Sequence, residues 1–196
     1  MHRRNHALRV SCRLLAQCLL PGVLILASAG AVLAADASPV ASSTAARTPL
    51  RPADAAFVDG ATRANLAEIR LGQLMLQRSA VPEVKFFAQR MVQEHQTNLD
   101  GLNQLASQKG IRLTDDLSVA DKELYDRLSK LPSPQLEHDY IGVAGLKGHL
   151  EAQKLFQGYL KEGKDQDLLS YAQMTLPTIN DHLEMARHLL ANSKSE

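Results

Sequence analysis

Four segments of the chain carry apolar side chains at steps of three and four residues, which is the period of an amphipathic α-helix. The segments run from about Asp54 to Ser79, Pro82 to Lys109, Ser133 to Gly163 and Asp165 to Asn192. Each has about 25 residues, so each predicted helix is close to 40 Å long at about 1.5 Å per residue. Only a few residues separate the first from the second segment and the third from the fourth, which favours two antiparallel helical hairpins.

A longer connection of about 20 residues joins the two hairpins. Ser118 and Asp121 form a capping pair in this connection and predict a short helix, which the pair Pro132/Pro134 ends. Aromatic residues make up only 4% of the chain and Trp is absent, which disfavours an all-β fold. We therefore predict an all-α protein, a ferritin-like four-helix bundle with a short extra helix in the crossover between helices two and three.

The first 34 residues have the order of a secretory signal peptide. Four arginines precede an apolar run from Leu14 to Leu33, which leads into Ala34 and Ala35. We predict Sec-type export, cleavage after Ala34 or Ala35, and a periplasmic or secreted mature protein. The alternative is an uncleaved anchor helix, although Pro21 interrupts the run.

Residues 35–53 are rich in Ala, Ser, Thr and Pro and predict a disordered tether, followed by the helical domain at 54–192. Both cysteines, Cys12 and Cys18, lie in the leader, so no thiol remains in the mature chain to bind a metal. The leader also contains four of the 22 basic residues and none of the 21 acidic ones, so the mature chain has 18 basic residues and a formal charge of −3. This balance argues against a nucleic-acid partner, and we expect no stable membrane insertion after leader removal.

Polar residues interrupt the apolar stripe of every predicted long helix. Steps of three and four residues from apolar positions lead to one such residue on each helix: Glu68, His95, His149 and His182. They lie near or somewhat past the middle of their helices, so an antiparallel bundle can bring them to one level. Imidazole and carboxylate ligands suit iron, zinc, manganese or copper rather than calcium. We therefore predict these four residues as metal ligands and predict no catalytic or organic-cofactor residue.

Other interpretations of these four positions are also possible. Glu68 and one protonated histidine can form a buried ion pair in a metal-free polar core. Glu94, beside His95, is a fifth candidate ligand if the second helix is rotated slightly. His138 and His188 are expected on solvated helix faces.

Residue spacing also bears on two other kinds of metal site, a Cu(I) site and a di-iron site. Met91 lies four residues before His95, and Met185 lies three residues after His182, spacings that suit a Cu(I) site. A di-iron oxidase site is disfavoured because its Glu-x-x-His motif is missing: Thr97, Lys154 and Arg187 stand where histidine would be needed.

Four strings of the chain are similar to the domain of unknown function 4142 family: FVDGATRANLAEIRLGQL at 57–74, VKFFAQRMVQEHQTNLDGL at 84–102, the segment from Asp139 to Phe156, and YAQMTLPTINDHLEMAR at 171–187. The most specific elements are the pair Glu94-His95, the pair Asp139-Tyr140 before His149, and Thr175-Leu176-Pro177 before His182. The resemblance implies an exported bacterial ferritin-like bundle without an established activity. Members are often labelled outer-membrane proteins, a label that four amphipathic helices do not fit.

Three functions are compatible with these features. The first is a periplasmic binding or stress-related module whose Glu/His cluster holds a metal. The second is a metal-dependent oxidoreductase that acts on a small oxidant such as peroxide and needs an open coordination position. The third is a structural or envelope-interaction protein with a metal-free polar core, for which an apolar strip around Leu117, Leu124 and Leu128 would be the contact surface.

Overall fold

The computed structural model describes residues 50–192, which form helices and no strand. The helices are α1 (Pro52–Arg78), α2 (Pro82–Gln108), α3 (Val119–Ser129), α4 (Ser133–Tyr140), α5 (His149–Glu162) and α6 (Gln166–Asn192), with a π-helical segment (Ile141–Gly148) between α4 and α5. The predicted all-α class is confirmed. The predicted signal peptide at 1–34 and residues 35–49 of the predicted tether lie outside the described residues.

The helix ends follow from the local sequence. α1 and α2 each begin with a proline. N–H groups in the first turn of a helix have no acceptor within the helix, so the N–H that proline lacks costs no hydrogen bond there. The α1–α2 turn is held on α4, because the Ser79 hydroxyl donates to Glu137 Oε1 at 2.6 Å. α3 begins as its capping pair predicts, with the Asp121 backbone N–H donating to the Ser118 hydroxyl at 3.1 Å.

The two long helices of each hairpin pack against each other, and the two hairpins pack together. α1 contacts α2, α5 contacts α6, and the two pairs meet through α1–α5 and α2–α6 contacts. The buried apolar side chains form two clusters, one at each end of the long helices. On every long helix the predicted polar residue lies between the two clusters. The flanking apolar pairs are Ala61 and Leu71, Met91 and Leu102, Ala144 and Phe156, and Ile179 and Ala186. A buried polar layer therefore separates two apolar cores.

The third long helix is not the regular α-helix that its periodicity predicts. It runs without a break from Ser133 to Glu162, but residues Ile141–Gly148 are π-helical. A π-helical segment has more residues per turn than an α-helix. The spacing of apolar residues at three- and four-residue steps does not reveal this difference. The segment is glycine-rich and brings the backbone close to its neighbours: a Cβ at Gly148 would lie 2.9 Å from Glu68 Oε1.

The predicted exposed apolar strip on the connecting helix is wrong. Leu128 is fully buried, and the half-buried Leu124 packs against the same cluster as Leu71. The reason is that α3 lies against α1 and α4, so its apolar face is covered. In residues 50–192, no helix combines the length and the apolar character needed to cross a membrane.

Gly145 gives a test of the close packing around the π segment. A Cβ there would lie 3.0 Å from Ala186 Cβ and 3.2 Å from Phe87 Cζ, so Gly145→Ala should lower the free energy of unfolding by about 1–3 kcal/mol. Gly142→Ala is the matched control, because its added Cβ meets no heavy atom within 4 Å beyond its chain neighbours and the backbone of its own helix. The control should be neutral or stabilising by up to about 1 kcal/mol. Urea unfolding followed by circular dichroism measures both, and equal effects would contradict the packing argument.

Candidate metal centre

Three histidine rings meet in the polar layer. His95 comes from α2, His149 from the first turn of α5 and His182 from α6, and all three are buried. His149 Nε2 lies 3.3 Å from His95 Nε2 and 3.1 Å from His182 Nδ1. One nitrogen of each ring lies within 4.8 Å of the others. The structure thus brings together three of the four residues predicted as ligands.

Hydrogen bonds on the outer side of two rings determine which nitrogen carries the proton. His95 Nδ1 lies 2.9 Å from Asn65 Oδ1, and the Asn65 amide nitrogen donates to the Ala61 carbonyl at 2.9 Å, which fixes the amide orientation. His149 Nδ1 lies 3.0 Å from the Ala144 carbonyl oxygen. Both partners are acceptors, so both Nδ1 atoms are protonated, and the inner Nε2 atoms of the neutral rings carry lone pairs.

The third ring is held by a carboxylate. His182 Nε2 lies 2.7 Å from Glu94 Oε2, and the other oxygen of Glu94 accepts from Arg90 Nε at 2.7 Å. Partial burial opposes ionisation of Glu94, but the hydrogen bonds from Arg90 and His182 outweigh it and lower its pKa. Glu94 is therefore an acceptor, His182 Nε2 carries the proton, and Nδ1 presents a lone pair to the other two rings.

Burial keeps the three rings neutral. It lowers the pKa of His95 well below its usual value, with a further contribution from His149 and His182. Burial and His182 lower the pKa of His149 to about 4. Burial also lowers the pKa of His182 and outweighs the opposing effect of Glu94. At neutral pH three lone pairs therefore face one another with no hydrogen between them, an arrangement that a shared cation satisfies.

Glu68, the fourth predicted ligand, lies beside this group. Its Oε1 is 3.8 Å from the outer nitrogen of His149, on the side of the ring that faces away from the other histidines. Among buried side-chain atoms of the described residues, Glu68 Oε2 and the Tyr140 hydroxyl have no hydrogen-bond partner. Burial, with a smaller contribution from Asp121, raises the pKa of Glu68 to about 8. The carboxyl group is thus mainly neutral at pH 7.

Two of the groups that hold the rings, Asn65 and the Ala144 carbonyl, were not predicted from the sequence. Asn65 lies three residues before Glu68 on the same helix face, and Arg90 lies four residues before Glu94, so spacing alone carried a signal for both. The Ala144 carbonyl had no such signal. Glu94, weighed as a fifth ligand, contacts the outer nitrogen of His182.

The other sequence candidates lie apart from the ring nitrogens or on the surface. Met91 belongs to an apolar core, and Met185 Sδ lies 3.3 Å from Arg90 Nη1. His138 and His188 are exposed, as predicted.

A cleft of about 580 Å³ reaches the cluster from one side. Its inner wall includes Glu68, His95 and His149, and its outer wall includes residues of α3 and of the π segment. Two of the three histidines are therefore next to a space large enough for a small ligand.

Glu68→Gln tests the neutral state of the buried carboxyl group in metal-free protein. Below about pH 4.5 Glu68 is protonated in both the folded and the unfolded state. As pH rises toward 8, the unfolded state ionises while the folded state keeps the proton, so stability falls. The Gln variant lacks this fall. Its free energy of unfolding relative to wild type should rise by about 2–4 kcal/mol between pH 4 and pH 8 in urea titrations. A difference that does not change with pH would contradict the raised pKa.

Comparison with known proteins extends the description of the fold. The structure is similar to a crystallised DUF305 fragment from Deinococcus radiodurans, with a TM-score of 0.65 and 16% identity over 74% of this chain and 99% of that one. It is also similar to a DUF305 protein from Streptomyces coelicolor that is described as secreted, with a TM-score of 0.63 and 14% identity over 72% and 92% of the two chains. No curated protein gives a significant match. Residues 39–189 match the family described as Domain of unknown function (DUF4142), and the chain belongs to this family.

Proposed function

We propose that this protein is a metal-binding module in which His95, His149 and His182 hold one divalent transition-metal ion. The observation that carries the proposal is the inward lone pair on each ring, fixed by an acceptor on the outer nitrogen. Histidines that bind metals usually donate their second ring N–H to a carbonyl or carboxylate group, which orients the ring. All three rings have such a partner.

The spacing of the ring nitrogens also supports a metal. Two imidazole nitrogens about 2.0–2.1 Å from one four-coordinate ion lie about 3.3–3.4 Å apart. The two closest pairs in the cluster are 3.3 and 3.1 Å apart. Nitrogen donors favour zinc, iron, copper or manganese, the metals expected from the sequence, over calcium, which prefers oxygen.

Glu68 as a fourth ligand stays a prediction. Its carboxyl group lies next to the cleft, 3.8 Å from the outer nitrogen of His149. Metal titration of Glu68→Gln separates the two roles: loss of a ligand weakens binding as strongly as loss of a histidine, whereas an outer neighbour has a smaller effect.

The setting that we propose is the periplasm, and the architecture is a ferritin-like four-helix bundle. The order of charged, apolar and small residues at 1–34 supports export, and a protein of similar fold is described as secreted. Two hairpins joined through the longer connection that contains α3 support the bundle topology.

Metal content measured by inductively coupled plasma mass spectrometry tests the centre. Mature protein purified from the periplasm without a His tag should contain, or take up, close to one metal ion per chain. The double variant His95→Ala/His149→Ala should lose this metal because only one imidazole ligand remains.

The matched control is His138→Ala/His188→Ala, which removes two exposed histidines and should keep the metal. Circular dichroism checks that each variant is folded, and the single variant His95→Gln provides a milder change. Wild-type protein that takes up none of zinc, iron, manganese and copper would instead support the metal-free polar core.

Glu94→Ala tests the carboxylate that holds His182. Loss of this partner frees the ring and its tautomer, so metal affinity should fall by about 10–100-fold, the usual cost of removing a partner of a metal-binding histidine. Glu83→Ala removes an exposed carboxylate from the same helix and serves as the control. Competition with a chromophoric chelator measures both dissociation constants. Equal affinities in the two variants would show that Glu94 does not support the centre.

A further inference from the structure

Two rings of the three-histidine group, His95 and His149, line the cleft. The outer nitrogens are occupied by Asn65 from α1, Ala144 from the π segment and Glu94 from α2. His182 is fully buried and is absent from the cleft wall, whereas His95 and His149 form part of that wall. A ligand in the cleft therefore meets the rings of His95 and His149, whose outer nitrogens keep their hydrogen bonds.

The two carboxyl groups that contact the rings, Glu68 and Glu94, lie beside outer nitrogens and not beside the inner ones. All three rings are neutral donors. The carboxylate of Glu94 is shared between Arg90 and His182, and Glu68 lies beside the outer nitrogen of His149. A buried dication with neutral ligands attracts an anion strongly, because the surroundings screen charge poorly.

The cleft wall also carries cations that are only loosely paired. Arg127 Nη1 lies 3.6 Å from Asp139, and Lys147 Nζ lies 4.0 Å from Glu151, with both basic side chains more than half exposed. By contrast Arg63, also in the wall, is held by Asp59 at 2.9 Å. Asp121 accepts from the Ser118 hydroxyl at 2.6 Å. Arg127 and Lys147 are thus the wall charges most free to turn toward a ligand.

We propose that this cleft binds a small monovalent anion, which completes the coordination of the metal held by the three histidines. The proposal rests on the proposed metal centre and adds its ligand class and its route of access. The metal charge, which neutral histidine ligands leave uncompensated, supplies the affinity for an anion, and Arg127 and Lys147 raise the anion concentration at the opening of the cleft.

Azide titration of cobalt-loaded protein tests the proposal. Co²⁺ takes the same nitrogen ligands as zinc and has visible absorption bands that respond to a change of ligand. Metal content is first brought to one Co²⁺ per chain and checked by mass spectrometry. Azide is then added at constant ionic strength and pH. We expect a saturable change in the visible spectrum.

Variants of the cleft wall locate the site. At an ionic strength of about 10 mM, Arg127→Gln/Lys147→Gln should raise the azide dissociation constant about threefold, the effect of two charges acting at roughly 10 Å through water. The control Lys154→Gln/Lys161→Gln removes the same charge from exposed positions of α5 outside this cleft and should leave the constant unchanged.

Each result has one meaning. If the protein holds one Co²⁺ per chain and its visible spectrum does not change with azide, the anion site is wrong but the metal centre is still supported. Equal dissociation constants in the two double variants overturn the role of the cleft. A chain that takes up no metal removes both the centre and the anion site. Saturable binding that the cleft variant weakens and the control does not weaken supports the proposal.

Discussion

The hydrogen bonds on the outer nitrogens of His95, His149 and His182 determine the chemistry of the buried layer. Each acceptor receives a hydrogen bond from the N–H on the outer side of one ring, so the inner nitrogen of that neutral ring carries a lone pair. A buried polar group normally finds a donor or an acceptor as partner. In this layer three acceptors face one another, and the interior provides no proton because burial lowers all three pKa values. A cation resolves this conflict more completely than any rearrangement of neutral side chains.

The apolar parts of the structure isolate this layer. One cluster lies on each side of it along the long helices, and α3 covers the flank of α1. Burial of apolar surface stabilises the domain by about 25 cal/mol per Å², and the polar layer contributes little to this term. The two cores therefore provide the stability that permits these polar groups to be buried. Burial of a polar group without a hydrogen-bond partner costs free energy, and Glu68 Oε2 is such a group.

Much of this arrangement was predictable from the sequence. The periodicity predicted the long helices and the positions at which His95, His149 and His182 interrupt an apolar face, because a helical face depends only on residue spacing. The side of each ring that faces its neighbours was not predictable, since it depends on partners such as Asn65 and Ala144 in other turns or helices. The π segment was not predicted, because it changes the backbone conformation without changing which residues are apolar. The burial of Leu128 followed from tertiary packing that periodicity does not contain.

The histidines are divided unequally between the two hairpins. His95 and its partner Asn65 belong to the first hairpin, and His149 and His182 belong to the second, with His149 held by a carbonyl of its own helix. Only the bond between His182 and Glu94 joins a ring of one hairpin to an outer partner in the other. Each half of the domain thus supplies part of the centre and part of the hydrogen bonding that orients it. The centre is complete only when the two hairpins are packed together, because one hairpin supplies two imidazoles and the other supplies the third imidazole together with the carboxylate of Glu94.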